Sequence, residues 1–376
     1  MKLVVFGLTV SSSWGNGHAT LWRGLCRALA ARGHEVVFFE RDVPYYAAHR
    51  DLHRLAGGEL VLYPDWEKAH PAARRHLDGA DVAMVTSYCP DGVAAAELVL
   101  GSRVPLRVFY DMDTPVTLQA LERGERVPYL PPWGLGDFDL VLSFTGGASL
   151  RELRARLGAC RVAPLYGSVD PEVHRREPAR DDFRADLSYL GTYAEDRQAA
   201  LETLFIEAAR RLPDQRFLIG GAQYPHDFPW TENVYFVRHL PPGDHPAFYS
   251  SSRVTLNVTR AAMASMGHCP SGRLFEAAAC GTPIVTDAWD GLDEFFAPGD
   301  EILVARTTED TLRALRLPEE ELERMARRAR ERTLEEHTAE RRARDLEAAL
   351  DAAGSARGEF GTGGELEPDG TLSMEA

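Results

Sequence analysis

Residues Pro270–Pro283 read PSGRLFEAAACGTP, and the rest of the chain takes its meaning from them. Pro270, Ser271 and Gly272 favour a turn, and Ser271 can cap the helix that follows. Leu274, Phe275, Ala277, Ala278 and Ala279 suit a helix that prefers burial. Gly281 can end that helix, Pro283 stops it continuing, and Ile284-Val285-Thr286 reads as a strand. Glu276 breaks the pattern, because a carboxylate in an otherwise apolar helix needs a partner. The free N–H groups at the helix start favour an anion such as phosphate. Phosphate at the helix tip and hydroxyl groups on Glu276 together describe a nucleotide or a nucleotide-linked sugar.

The flanking sequence repeats a strand–helix alternation. Lys2 to Leu8 is strand-like, Ala19 to Arg32 has helical spacing, and Glu35 to Glu40 is a second strand, which makes a βαβ unit with a parallel sheet. Further strands are expected at Asp81–Thr86, Leu106–Tyr110, Asp139–Ser143 and Arg161–Leu165, with an irregular surface loop at Val127–Gly136. Charged residues without apolar period fill the stretch before Leu187, which reads as a linker. A second series then runs through strands at Leu187–Leu190, Arg216–Ile219, Val234–Val237 and Val254–Val258. Glu195–Arg211 reads as one long amphipathic helix and Ala261–Gly267 as a flexible run. Two charged helices close the series, and arginines and glutamates interleave on them as on solvated faces. The expected division is 1–172, a linker at 173–186, 187–353, and an acidic, disordered tail at 354–376. Ligands of such sheets bind beyond the carboxyl ends of the strands, so a cleft between two facing domains is the expected site.

The bulk numbers are consistent with this. The 376 residues suit two domains, and 44% hydrophobic content is ordinary for a globular enzyme. A formal net charge of −15 argues against nucleic acid or an anionic membrane as partner. The five cysteines are scattered without a CxxC pair, as reduced thiols of a cytoplasmic protein would be. The apolar run Leu3 to Val10 is too short to span a membrane and reads as a buried strand.

Four groups of residues point into the expected cleft. Gly15-Asn16-Gly17-His18 precedes the first helix. With Glu40 it has parts of a dinucleotide fingerprint, but Thr20 replaces the third glycine and the loop starts well beyond the strand, so a glycine-rich lip facing an anion is preferred. His18 can serve as general base or as a cap. Asp111 and Asp113 end a strand; no third ligand lies at a convincing spacing, and Asp113 is assigned to substrate. Thr192 and Tyr193 turn out of a strand ahead of Arg197, which can pair with a diphosphate. Asn257-Val258-Thr259-Arg260 lines the approach to the decisive helix. No nucleophile elbow, Walker phosphate loop or HExxH zinc helix is present.

SGRLFEAAACGTPIVTD resembles the carboxyl-terminal signature of nucleotide-sugar glycosyltransferases with two facing Rossmann-like domains, the GT-B fold. GTYAEDR, NVTR, GDEILV and HTAERRARDLEAAL resemble the CgeB-like branch, known from spore-maturation proteins, and YGSVDP resembles the inter-domain elbow. The resemblance covers about Leu187 to Ala349. It implies that Glu276 grips ribose, that Ser271, Gly272 and Arg273 lie near the diphosphate with Arg197, and that Gly15 and Gly17 face diphosphate and acceptor. Retaining relatives often carry a second glutamate eight residues before the first; here His268 stands there and is carried as a donor contact.

The expectation is therefore an α/β enzyme of GT-B architecture, a hexosyltransferase that uses a UDP-sugar and a hydroxyl-bearing acceptor. His18 and Asp113 are the candidate bases, with no metal or other cofactor. Two alternatives share these features: a sugar-nucleotide epimerase or hydrolase, and a non-catalytic nucleotide-sugar-binding protein.

Overall fold

The computed structural model describes residues 1–361, with side chains through 355. The chain forms two parallel sheets. The first contains β1 (Lys2–Gly7), β2 (Glu35–Arg41), β3 (Gly58–Tyr63), β4 (Val82–Thr86), β5 (Leu106–Asp111), β6 (Leu140–Ser143) and β7 (Val162–Pro164), in the order β3-β2-β1-β4-β5-β6-β7. The second contains β8 (Ala185–Leu190), β9 (Phe217–Gly221), β10 (Val234–Arg238), β11 (Ser252–Asn257), β12 (Ile284–Thr286) and β13 (Leu303–Val304), in the order β10-β9-β8-β11-β12-β13. Central strands read as continuous apolar runs because helices cover both faces: β1 and β4 are buried almost throughout.

In each sheet the order reverses beside the first strand, between β1 and β4 and between β8 and β11. Loops diverge at such switch points and leave a crevice. The loops after β1, β8 and β11 carry Gly15–His18, Gly191–Tyr193 and Thr259–Arg260, so the two crevices contribute to a single cleft.

The chain crosses between the sheets twice, and the crossings touch. Val169 N–H donates to His337 O (3.0 Å), and Ala339 N–H donates back to Val169 O (2.7 Å). The helix Ala339–Gly361 then returns to the first sheet's side and packs on the helix His18–Ala31, where Leu346 and Leu350 share a core with Leu25 and Leu29. Glu347 anchors it, accepting from Arg32 Nε (2.7 Å) and lying 2.6 Å from His34 Nε2. This helix extends the expected last helix to Gly361; the remainder of the expected acidic tail lies outside the described residues.

Several local expectations change. Ala261–Met266 is a helix with Ala262 and Met263 buried, not a flexible run. Glu195–Arg211 is not one uniform helix: it opens with a 3₁₀ turn at Glu195–Arg197 and widens to a π turn at Glu202–Ile206. The loop 127–136 is irregular, yet Tyr129 and Leu130 are buried in the first domain's core. No described helix is long and apolar enough to cross a membrane.

Candidate functional site

The helix expected from PSGRLFEAAACGTP spans Gly272–Ala279. Ser271 Oγ caps it by accepting from Arg273 N–H, and Gly281 ends it at φ +70°. Residues Leu274 to Ala279 are all buried, Glu276 included at 6% exposure. The helix start faces the start of His18–Ala31 across the cleft, so closely that a Cβ on Gly272 would lie 3.1 Å from Leu21. Gly17 caps the first helix without a side-chain bond, and the first helical N–H, that of His18, donates to Asn16 Oδ1 (3.2 Å).

Between them lies a cavity of about 560 Å³. Gly15, Gly17, His18 and Asp113 line it from the first sheet's side; Thr192, Tyr193, Arg197, Ser271, Gly272, Arg273 and Glu276 line it from the second. Of the expected site residues only His268 is not among the lining residues. Its Nε2 lies 3.0 Å from Glu294 Oε1, its carbonyl accepts from Gly146 N–H (3.0 Å), and its ring wedges against Gly147 and Gly291. This geometry fits a strut between the two halves.

The glycine lip is held from behind. Glu40 is fully buried and accepts from Thr9 Oγ1 (2.7 Å), Val10 N–H (2.8 Å) and Ser11 N–H (2.9 Å). Its carboxylate is occupied by the loop it shapes. Gly15 adopts φ +60°, a left-handed turn that a side chain would strain. Trp14 stacks on His49 (3.9 Å between centroids) and meets His239 of the second half (4.0 Å), and Gln223 Nε2 donates to Tyr45 Oη (3.1 Å). These contacts close one flank of the cleft.

The three arginines differ in how much of their donor capacity is spent. Arg273 donates to Leu190 O (2.7 Å), Val258 O (3.1 Å) and Ser271 Oγ (3.1 Å), so it ties the ends of β8 and β11 together. Among the described residues the Arg197 guanidinium donates only to Thr192 O (3.1 Å), and its Nε is buried without a partner. Burial lowers its pKa, with Arg273 and Arg260 adding to the effect. Such a cation is under-satisfied and suited to an anionic ligand. Arg260 donates to Asp196 (3.1 Å) and lies 3.9 Å from Asp113.

On the first sheet's side Asp113 is the hub. Tyr88 Oη donates to its Oδ2 (3.0 Å), and His18 Nε2 lies 3.7 Å from the same atom. His18 Nδ1 is buried and unpartnered. Asp111 lies beneath, fully buried, and burial pushes its pKa up to about 6. On the far side, burial opposes ionisation of Glu276, but His174, His245 and Arg273 outweigh it and hold its pKa at about 2. Glu276 is thus a carboxylate at neutral pH, as a hydroxyl acceptor must be.

Sequence reasoning left out Tyr88, His174 and His245. Tyr88 sits beyond the carboxyl end of β4 at φ +64°, a strand-end position that could have flagged it. His174 lies in the charged stretch read as linker, and nothing in its spacing marked it.

Residues 197–348 match a family model described as glycosyl transferase-like. No curated protein matches the chain. Among solved structures, sucrose-phosphate synthase from Thermosynechococcus elongatus superposes with a TM-score of 0.67 at 15% identity, covering 95% of this chain and 100% of that one. HepE from Anabaena, in complex with UDP-glucose, gives 0.69 at 12% identity over 94% and 100%. An alpha-glucosyltransferase in complex with UDP-glucose and DNA containing an abasic site gives 0.67 at 12% identity over 93% and 99%. The chain has the GT-B fold of these structures, and its second half carries the glycosyl transferase-like match.

Proposed function

We propose that the chain transfers a hexose from a UDP-sugar to a hydroxyl-bearing acceptor. The carrying observation is that Glu276, the under-satisfied Arg197 and two helix starts meet in one cavity at facing switch points. In this reading Glu276 accepts from the ribose hydroxyls. The helix start at Ser271-Gly272, with Arg197 and Arg260, stabilises the leaving diphosphate, and no metal is assigned there. Arg273 adds positive charge while holding the strand ends. The choice of uridine is supported by the UDP-glucose complexes of HepE and of the alpha-glucosyltransferase. The net charge of −15 disfavours a nucleic-acid acceptor.

His18 takes the acceptor proton, with Asp113 orienting and stabilising the imidazolium. The acceptor oxygen bonds to the anomeric carbon, the bond from that carbon to the phosphate oxygen breaks, and the diphosphate leaves. A direct displacement of this kind inverts the anomeric centre. The test is a thermal-shift screen of UDP, GDP and ADP sugars, followed by NMR of the product. Absence of a shift with every UDP compound would sink the donor assignment. Retained configuration would remove His18 as base. Turnover of donor without acceptor would favour the epimerase or hydrolase reading.

A further inference from the structure

Three ligand atoms from separate parts of the chain converge behind the cleft wall. His174 follows the first chain crossing, His245 opens the helix His245–Ser250, and Glu276 lies in Gly272–Ala279. Glu276 Oε2 lies 3.4 Å from His245 Nδ1 and 3.8 Å from His174 Nε2, and one ligand atom from each residue falls within 4.8 Å of the others. His174 is 1% exposed, yet both its ring nitrogens are buried without a hydrogen-bond partner, as is His245 Nδ1. Buried polar atoms are nearly always satisfied, so two orphans facing one carboxylate oxygen, His174 Nε2 and His245 Nδ1, call for an occupant.

The orientation of His245 narrows the choice. Its Nε2 lies 3.3 Å from Leu240 O, and a carbonyl can only accept, so this nitrogen carries the proton. With a cation bound the ring is neutral and Nδ1 presents its lone pair to the ion; without the ion the same nitrogen carries a proton toward Glu276. A ring N–H committed to a backbone carbonyl is the usual outer support of a metal-binding histidine. Two imidazoles and one carboxylate are a donor set for first-row divalent ions, Zn²⁺ foremost. Ligand bonds of about 2.0–2.1 Å place neighbouring ligand atoms roughly 3.4 Å apart around a tetrahedral ion. The spacing from Glu276 to His245 meets this already, and that to His174 requires a few tenths of an ångström.

We propose that His174, His245 and Glu276 form a binding site for a divalent cation of the Zn²⁺ type. Glu276 and His245 line the cleft cavity and His174 does not, so the ion's fourth position opens toward the cleft. The ion fastens the inter-domain crossing to two helices of the second half. This revises the sequence expectation of no metal. The site shares Glu276 with the nucleotide reading but does not depend on it.

Full-length protein stripped with EDTA and dialysed free of chelator is titrated with Co²⁺, following visible absorption. One equivalent should saturate the signal, and Zn²⁺ should abolish it. His174→Gln and His245→Gln should each weaken binding at least tenfold; if either fails to fold by circular dichroism, Glu276→Gln replaces it in the comparison. Absence of a saturable one-equivalent signal in the wild type overturns the proposal. Full affinity in the folded variants overturns it as well, because the ion then binds elsewhere. UDP is titrated into the same stripped protein. UDP binding without Co²⁺ binding refutes the cation site alone, and the reverse refutes the nucleotide reading alone.

Discussion

Replacing Glu276 tests the centre of the functional reading. The carboxylate is buried and held ionised, so any hydroxyl it receives makes a charge-assisted hydrogen bond in a poorly solvated place. Removing such a partner costs about 1.5–3 kcal/mol, which is about 10- to 150-fold in Kd. Glu276→Ala should weaken UDP by that factor. Glu276→Gln keeps the volume and a hydrogen-bonding oxygen but loses the charge, so roughly half the energy is lost and UDP weakens about 4- to 13-fold. The specific claim is that the partner is ribose. Calorimetry with UDP and 2′,3′-dideoxy-UDP on wild type and Glu276→Ala closes a double-mutant cycle. Wild type should discriminate strongly between the two nucleotides and the variant hardly at all. If the variant discriminates as well as the wild type, to within about 0.5 kcal/mol, Glu276 does not touch ribose.

Four further outcomes are expected. Arg197→Ala should weaken UDP by about 10-fold or more while leaving uridine binding unchanged, because its unpartnered Nε is assigned to phosphate; equal losses for both ligands would argue for a structural role. Asp113→Asn should lower kcat by about 10²–10⁴-fold with little change in UDP affinity, read from kinetics beside calorimetry. Gly191→Ala should lower stability by roughly 1–3 kcal/mol in denaturant unfolding, since its Cβ would meet Arg273 Nη1 and Tyr189 Oη, each at 2.7 Å. Glu347→Gln should lower the urea midpoint at pH 7, and that difference should shrink with acid. Hydrogen bonds from Arg32 lead the causes that depress the Glu347 pKa to about 2, from 4.5. Its contribution is therefore complete above about pH 4.5 and fades as pH falls toward 2; a difference independent of pH would refute the assignment.

Much of the architecture was legible because strand and helix periods alternate plainly and the apolar strands are short. The edge strand β3 and the helix after it were not. β3 is half exposed and the helix Trp66–Leu77 contains Pro71, so neither carries the apolar signal of its neighbours. The helix Ala261–Met266 was obscured by small residues that suit a helix or a loop equally. Residues on strand ends and helix starts could be placed by position in the βα unit, which is why Arg197, Asp113 and Glu276 were expected at the cleft they line. His174 and His245 could not, because their proximity to Glu276 arises only when the crossing folds back on the second sheet. His268 was carried over from a motif position, while its left-handed backbone (φ +48°) turns it among Gly147, Gly291 and Glu294.

The return of the helix Ala339–Gly361 to the first half has a consequence for synthesis. The first sheet is complete in sequence by Pro164, yet the helix that covers Leu25 and Leu29 begins at Ala339. At about 5–20 residues per second, a ribosome needs on the order of 10–30 s to bridge that interval. During it the emerging first half presents an uncovered apolar flank, which closes only when the helix Ala339–Gly361 has been made.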